Sequence, residues 1–437
     1  MAKPQRPVRY LPGEVLLALY RRRGPVINQW FGGYGLVCLL GPEANKFVFT
    51  NSDAFSWGDA FQVLVPVVGP TALIVSDGAE HRRRRSLVQP AFHHQQIQHY
   101  VQTMVDNADA VIDTWQPGQK LDIYQQFRSA IRRSTMESLF GPQIAEHADF
   151  LGEQLQPLLD LTHRTEPTLK WQQRLRSPAW RRAMAARARV DELIYAEIER
   201  AHTDSSADDH VLTALVNSRT EAGEPLSDNE IRDQVVSLIA AGYETTSGAI
   251  AWAIYSLLSV PEVWDTAVDE VQRTLGGRVP GAGDLKALSY LNGVVHETLR
   301  LYPSGVVSAR KVIRDVWFNG HRIRAGRLLV FSPYVTHRLP ELWPEPLEFR
   351  PERWVPGSPY YRKPAPHEFL PFSGGPHRCI GSAMATSEMT VMLARLLART
   401  SLRLPAQRIH ATGFAALRPR HGLTVELTEQ PAISQTH

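Results

Sequence analysis

Sulfur is scarce in this chain: 437 residues carry two cysteines and seven methionines. Two cysteines with no pairing pattern exclude a disulfide framework and fit a reducing compartment. Zinc and iron–sulfur centres usually draw on several cysteines, and Cys38 lies far from Cys379 in an apolar stretch that reads as a strand, so both are disfavoured. An excess of one charge is lacking as well. Lysine and arginine number 48 against 44 aspartates and glutamates, a net of +4 that gives no reason to expect nucleic acid as a partner. No long apolar run opens the chain. Val15 to Tyr20, followed by Arg21-Arg22-Arg23, is too short for a signal peptide or membrane anchor. No internal repeat is evident, and the candidate linkers, Thr203 to Asp209 and Gly276 to Asp284, are short loops between predicted helices.

What the chain does have is the string Pro371-Phe-Ser-Gly-Gly-Pro-His-Arg-Cys379-Ile-Gly381. Met389, Met392, Leu393, Leu396 and Leu397 follow it at the spacing that makes one helical face apolar, which places Cys379 just ahead of a buried helix. The first amides of a helix lack internal partners and carry the positive end of its dipole, so a thiol held there tends to ionise. Gly374, Gly375 and Gly381 remove side chains around the sulfur and let a flat ligand approach. Such a sulfur suits a soft metal. Read by itself, it equally fits a small core hydrophobe, or a nucleophile paired with one of sixteen histidines.

Three further segments stand out. Ala241-Gly-Tyr-Glu-Thr-Thr246 sits in an apolar stretch that starts behind a Ser227/Glu230 capping box and is closed by Pro261, room for one helix on the order of 45 Å long. Glu244 is the only charged side chain between Val235 and Val260, a pattern that also describes a membrane span. Its neighbours Gly242, Thr245, Thr246, Ser247 and Gly248, and the amphipathic segments on either side, favour a buried central helix, in which an acid needs a reason. Glu297-Thr-Leu-Arg300 lies among Leu291, Val294, Val295, Leu299 and Leu301 on a helix that stops at Pro303. The charged pair is therefore expected to be buried and to require a third partner. His81-Arg-Arg-Arg-Arg85, on a helix ending near Phe92, would by itself be a solvated or nucleic-acid-binding face.

The cysteine string resembles the haem-binding loop of the cytochromes P450, in which Phe, Gly, Arg or His, Cys and Gly occupy fixed positions. Phe372, Gly375, His377, Cys379 and Gly381 fill all of them, and the other motifs follow in the family's order over nearly the whole chain. The resemblance implies a mainly α fold with a smaller β-rich part, in a single domain over residues 1–437. It also implies haem b (iron protoporphyrin IX) bound through Cys379. The central helix then crosses the oxygen face of the haem, with Ala241 and Gly242 leaving room for O2. Thr245 matches the threonine that hydrogen-bonds the bound oxygen, and Glu244 the acid that relays protons. Reducing O2 consumes two protons, which an apolar cavity admits poorly without such a route, so the pair argues for a monooxygenase. Arg353, in Phe349-Arg-Pro-Glu-Arg353-Trp354, matches the residue that joins Glu297 and Arg300 in a network bracing the proximal side. His81, Arg85, Arg310 and His377 match the positions that hold the propionates. Arg82, Arg83 and Arg84 are expected to face away and to steer an acidic ferredoxin into place. Because no reductase-like portion follows the motifs, ferredoxin and ferredoxin reductase are the expected electron donors.

The resulting expectation is a cytoplasmic haem-thiolate monooxygenase that uses O2 and two supplied electrons, without nucleic acid or membrane anchor. Specificity in the family comes from segments corresponding to Trp57–Ile74, Phe150–Trp180 and Gly305–Ser308. Phe61, Val63, Leu64, Val65, Val67 and Val68 in the first point to an apolar substrate. The chain's likeness to actinobacterial members extends this to a lipid, sterol or polyketide-like molecule of secondary metabolism. Desaturation and oxidative coupling use the same machinery, and a haem-thiolate sensor the same cofactor. Outside the motifs, helices are expected over Pro42–Thr50, His94–Trp115 and Ala183–Ala201. Strands are expected near Gly35–Leu40, Val316–Val330 and Leu402–Leu427, with a hairpin turn at Asn319-Gly320.

Overall fold

The computed structural model describes residues 7–31, 34–162, 166–203, 210–219 and 223–429. Most of Thr203 to Asp209 and part of Phe150 to Trp180 lie outside them. Helices predominate and the strands gather in small sheets, a mainly α architecture with a smaller β part. Two compact units are distinguished, each assembled from separated segments: Met1–Phe55, Gln98–Ile131 and Thr245–His437 in the first, Ser56–Ile97 and Arg132–Glu244 in the second.

In the first unit, Val26–Phe31 pairs antiparallel with Tyr34–Leu39, which runs parallel to Leu328–Phe331, which in turn pairs antiparallel with Ser308–Val312. Period-two alternation sends Val37 and Leu39 to one face, against Val48, Phe49, Phe331 and Leu370. Cys38 and Leu40 go to the other, against Leu17, Val335 and Leu339. Cys38 is thus a buried filler of the sheet, and burial pushes its thiol up to about 11. Asn319 and Gly320 take φ of 47° and 76°, the positive values a two-residue turn needs between Val316–Phe318 and His321–Ile323. At the C-terminal end, Thr424–Glu429 pairs with both Lys120–Asp122 and Ser401–Arg403.

Two helices of this unit frame the site. Ser382–Arg399 buries Met389, Met392, Leu393, Leu396 and Leu397, the stripe read from the sequence. Ser289–Leu301 begins where the carboxylate of Glu270 accepts the backbone N–H groups of Tyr290 and Leu291, both at 2.8 Å, satisfying two of its orphan donors. One turn before Glu297 it carries Gly293, where a Cβ would stand 2.7 Å from the carbonyl oxygen of Pro351. The missing side chain lets the 3-10 turn Pro351–Trp354 lie against the helix backbone.

In the second unit the segment before the arginine-rich helix is held by consecutive residues of the central helix. Asp233 accepts from the backbone N–H and hydroxyl of Thr71, at 3.0 and 2.6 Å, and Gln234 accepts from Leu73 N and donates to Thr71 O. Arg232, itself buried, pairs with Asp233 and Asp191. The central helix runs from Asp228 to Ser259, and the Ser227 hydroxyl accepts from Glu230 N at 3.3 Å as an N-cap. Its residues up to Glu244 belong to the second unit and those from Thr245 to the first. No helix among the described residues is long and apolar enough to cross a membrane.

Some boundaries differ from the sequence reading. The helix from His94 ends at Ile112, because Thr114 and Trp115 close short turns onto Val111 and Ile112. The helix expected from Ala183 starts at Pro178, where proline needs no N–H partner and the Ser177 hydroxyl accepts from Trp180 N. Gly293→Ala is expected to push the Pro351 turn off its helix and to cost about 1–3 kcal/mol, read as a lower urea midpoint at unchanged m-value.

Candidate functional site

Cys379 is exposed and precedes Gly381, the N-cap residue of helix Ser382–Arg399. Backbone hydrogen bonds shape its loop: Ser373 N to Leu370 O at 3.2 Å, Arg378 N to Gly375 O at 3.1 Å and Cys379 N to Phe372 O at 3.0 Å. Gly375 adopts φ of +68°, and a Cβ at Gly374 would meet the ring of Phe49 at 2.7 Å, so two of the glycines answer to backbone conformation and packing. Phe372 and His377 are half-buried in the same loop, His377 within the short 3-10 turn Gly375–His377. Arg310, buried on its strand, donates to Ala309 O at 2.7 Å and lies over the Phe331 ring at 5.3 Å.

Below this loop lies a buried charge network. Arg300 holds Glu297 through two parallel bonds, Nε to Oε2 at 2.8 Å and Nη2 to Oε1 at 2.7 Å. Arg353 Nε, at 3.3 Å, and Arg350 N, at 3.0 Å, also reach Oε1, and the indole N–H of Trp354 reaches Oε2 at 3.0 Å. The remaining donors of Arg300 go to the carbonyls of His337, Pro346 and Glu348. Glu297 and Arg300 are fully buried and Arg353 nearly so. Burial opposes ionisation of Glu297, yet Arg300, Arg353 and the Arg350 amide outweigh it and hold the carboxyl below its usual range.

The central helix shows where a ligand could reach it. From Ile231 to Ala240 all but Leu238 are buried, and burial is continuous from Thr246 to Leu257. Between them Ala241 is exposed and Gly242, Glu244 and Thr245 are half-exposed. The Ser304 hydroxyl donates to Thr245 O at 3.1 Å and ties the helix to the residues after Pro303.

On the helix Gly78–Val88, His81 is buried and Arg85, one turn on, is half-buried. Two of the arginines between them are engaged in ion pairs that the sequence did not reveal. Arg83 pairs with Glu230 and, at 3.0 Å, with Glu80, and Arg84 pairs with Glu80 at 3.3 Å and Glu230 at 3.4 Å. Arg82 alone of the three is exposed. Glu230, chosen by the sequence as half of a capping box, turns its carboxylate to these arginines.

Sequence reasoning missed His337, Asn45 and the role of Trp354. His337 is fully buried, and burial followed by the charges of Arg300 and Arg338 drives its imidazole well below the usual histidine range. Asn45 donates to Thr336 Oγ1 at 3.0 Å and His367 O at 3.1 Å. Trp354 stood beside Arg353 in a motif already noted, and its indole N–H was the available signal.

The family described as Cytochrome P450 matches residues 4–421. Cytochrome P450 139 of Mycobacterium tuberculosis is 68% identical over 96% of this chain and 98% of its own. The cyclooctat-9-en-7-ol 5-monooxygenase of Streptomyces melanosporofaciens is 32% identical over 92% and 91% of the two chains. Among solved structures, the retinoic acid bound cyanobacterial CYP120A1 superposes with a TM-score of 0.84 at 24% identity, covering 98% of this chain and all of that one.

The buried groups fix the acid response. Glu297 is favoured as carboxylate and so stabilises the fold at neutral pH, whereas His337 is disfavoured from protonation and so penalises the fold only in acid. Stability is expected to fall as pH drops below about 6.5 and again below about 4.5, as the unfolded chain takes up protons the folded one resists. Glu297→Gln should flatten the lower limb while lowering the neutral plateau by about 3–5 kcal/mol, because Arg300 is left buried without its counter-charge. Denaturant midpoints across pH check both.

Proposed function

The chain belongs to the cytochrome P450 family of monooxygenases, and we propose that it binds haem b through Cys379 and oxidises an apolar, lipid-, sterol- or polyketide-like molecule in the cytoplasm. The observation that carries the reading is the break in burial at Ala241–Thr245 of an otherwise buried helix, in a chain that also presents an exposed thiol on a glycine-shaped loop. The residues fit the group: a soft donor in one place, and small or protonatable side chains in the other. Bound there, the haem supplies thiolate-ligated iron that activates O2 for insertion into a substrate bond.

The chain's own residues supply position and protons. Glu244 and Thr245 are adjacent on the helix and only half-buried, so a carboxyl and a hydroxyl can pass protons inward from solvent. Ser304 steadies the helix backbone at Thr245. His81, Arg85, Arg310 and His377 are the proposed donors to the propionates, and the Glu297–Arg300–Arg353 network braces the cysteine side. Electrons are proposed to come from ferredoxin through its reductase. With Arg83 and Arg84 engaged by Glu80 and Glu230, the docking role narrows to Arg82.

Two observations support a substrate rich in hydrocarbon. Phe61, Val63, Leu64 and Val65 are half-exposed apolar side chains on a segment whose neighbours Thr71 and Leu73 are fastened by Asp233 and Gln234. A relative is named for cyclooctat-9-en-7-ol, an alcohol on a hydrocarbon frame.

Reduced holoprotein exposed to carbon monoxide is expected to absorb near about 450 nm, and Cys379→Ser to lose that band; its absence in the unaltered protein overturns the reading. Thr245→Ala should cut product per NAD(P)H consumed by about 10²-fold while consumption continues, measured with ferredoxin and reductase and any substrate found by spectral titration of lipid, sterol and polyketide libraries. A fully coupled variant contradicts the role given to Thr245.

A further inference from the structure

The cysteine loop is joined to the buried Glu297–Arg300 pair through one side chain. Arg300 Nη1 donates to the backbone carbonyl of His337 at 2.8 Å. The imidazole answers in the other direction: Nδ1 lies 3.2 Å from the backbone carbonyl of Arg300. Its far nitrogen, Nε2, accepts the backbone N–H of Leu370 at 2.8 Å. From Leu370 the hold continues along the loop, since Leu370 O accepts from Ser373 N, and Phe372 O accepts from Cys379 N.

We propose that His337 is the positioning residue that ties the cysteine loop to the buried ion pair and so fixes where the sulfur of Cys379 stands. The proposal rests on the reading of Cys379 as the haem ligand. An N–H acceptor at Nε2 and a carbonyl partner at Nδ1 define one neutral tautomer, protonated at Nδ1. Both bonds are made in a fully buried site, where neither partner could turn to water instead. The rings of Phe369, at 5.3 Å, and Trp343, at 6.4 Å, pack around the imidazole and leave it little freedom to rotate. Burial and the nearby cations Arg300 and Arg338 keep it uncharged, so Nε2 remains an acceptor.

Two substitutions of similar polarity separate positioning from packing. His337→Gln reaches far enough to put a carbonyl oxygen where Nε2 stands and so keeps the Leu370 tether. His337→Asn reaches only the Nδ1 position, keeping the Arg300 carbonyl and releasing Leu370. Both are measured as holoprotein by the reduced, carbon monoxide-bound spectrum, and by amide hydrogen exchange over residues 367–379 with residues 104–112 as an internal control. The expected result for His337→Gln is the unaltered band near about 450 nm and unaltered exchange. For His337→Asn it is a major loss of that band to shorter wavelength, with exchange of the loop faster by about tenfold and the control unchanged. Equal behaviour of the two variants, whether both intact or both impaired, overturns the proposal. If the unaltered protein itself lacks the band, the assignment of Cys379 fails. The exchange contrast between the two variants still decides whether His337 holds the loop.

Discussion

A carboxylate with no access to water is the constraint around which the first unit is organised. Glu297 sits at zero exposure, where an isolated charge costs several kcal/mol, and it is tolerable only because five donors converge on its two oxygens. Those donors come from its own helix and from Arg350 to Trp354. Satisfying one charge therefore fixes the path of two separate stretches of chain. The unsubstituted backbone at Gly293 is part of the same solution, since the turn that carries Arg353 and Trp354 must come that close. A network of this kind adds little net stability over an apolar core, but it admits few alternative arrangements.

The second unit uses the same device on a different segment. Arg232, Asp233 and Gln234 are consecutive and buried, and they meet the backbone and hydroxyl of the segment near Thr71. A polar anchor at one end leaves the apolar side chains from Phe61 to Val65 half-exposed yet held in place. The hydrocarbon substrate proposed above would meet apolar side chains on a firmly supported segment.

How much of this could be read from the sequence follows from how far apart the interacting residues lie. The cysteine string, the Ala241–Thr246 stretch and the Glu297/Arg300 pair are each written within a few residues, and their local periodicity was enough to place them on a loop and two helices. The helix boundaries that shifted were set by contacts at the helix ends, the Ser177 cap before Pro178 and the turns closing onto Val111 and Ile112, about which propensity inside the helix says little. His337 and Asn45 could not be found this way. Their partners at Leu370 and His367 lie 33 and 322 positions away, and no spacing rule reaches across such gaps. One partner of the arginine run stayed hidden for a related reason: Glu230, which pairs with Arg83 and Arg84 alongside nearby Glu80, is distant in sequence.

The two cysteines have opposite fates. Cys38 is sealed between apolar clusters of the sheet with its thiol held protonated, while Cys379 stands at the surface of its loop. Cys379 is thus the cysteine whose thiol an oxidant can reach, while that of Cys38 is shielded. Under the haem-ligand role proposed for Cys379, reactive oxygen escaping productive turnover would be released beside an oxidisable thiol, giving such a catalyst its own route to inactivation.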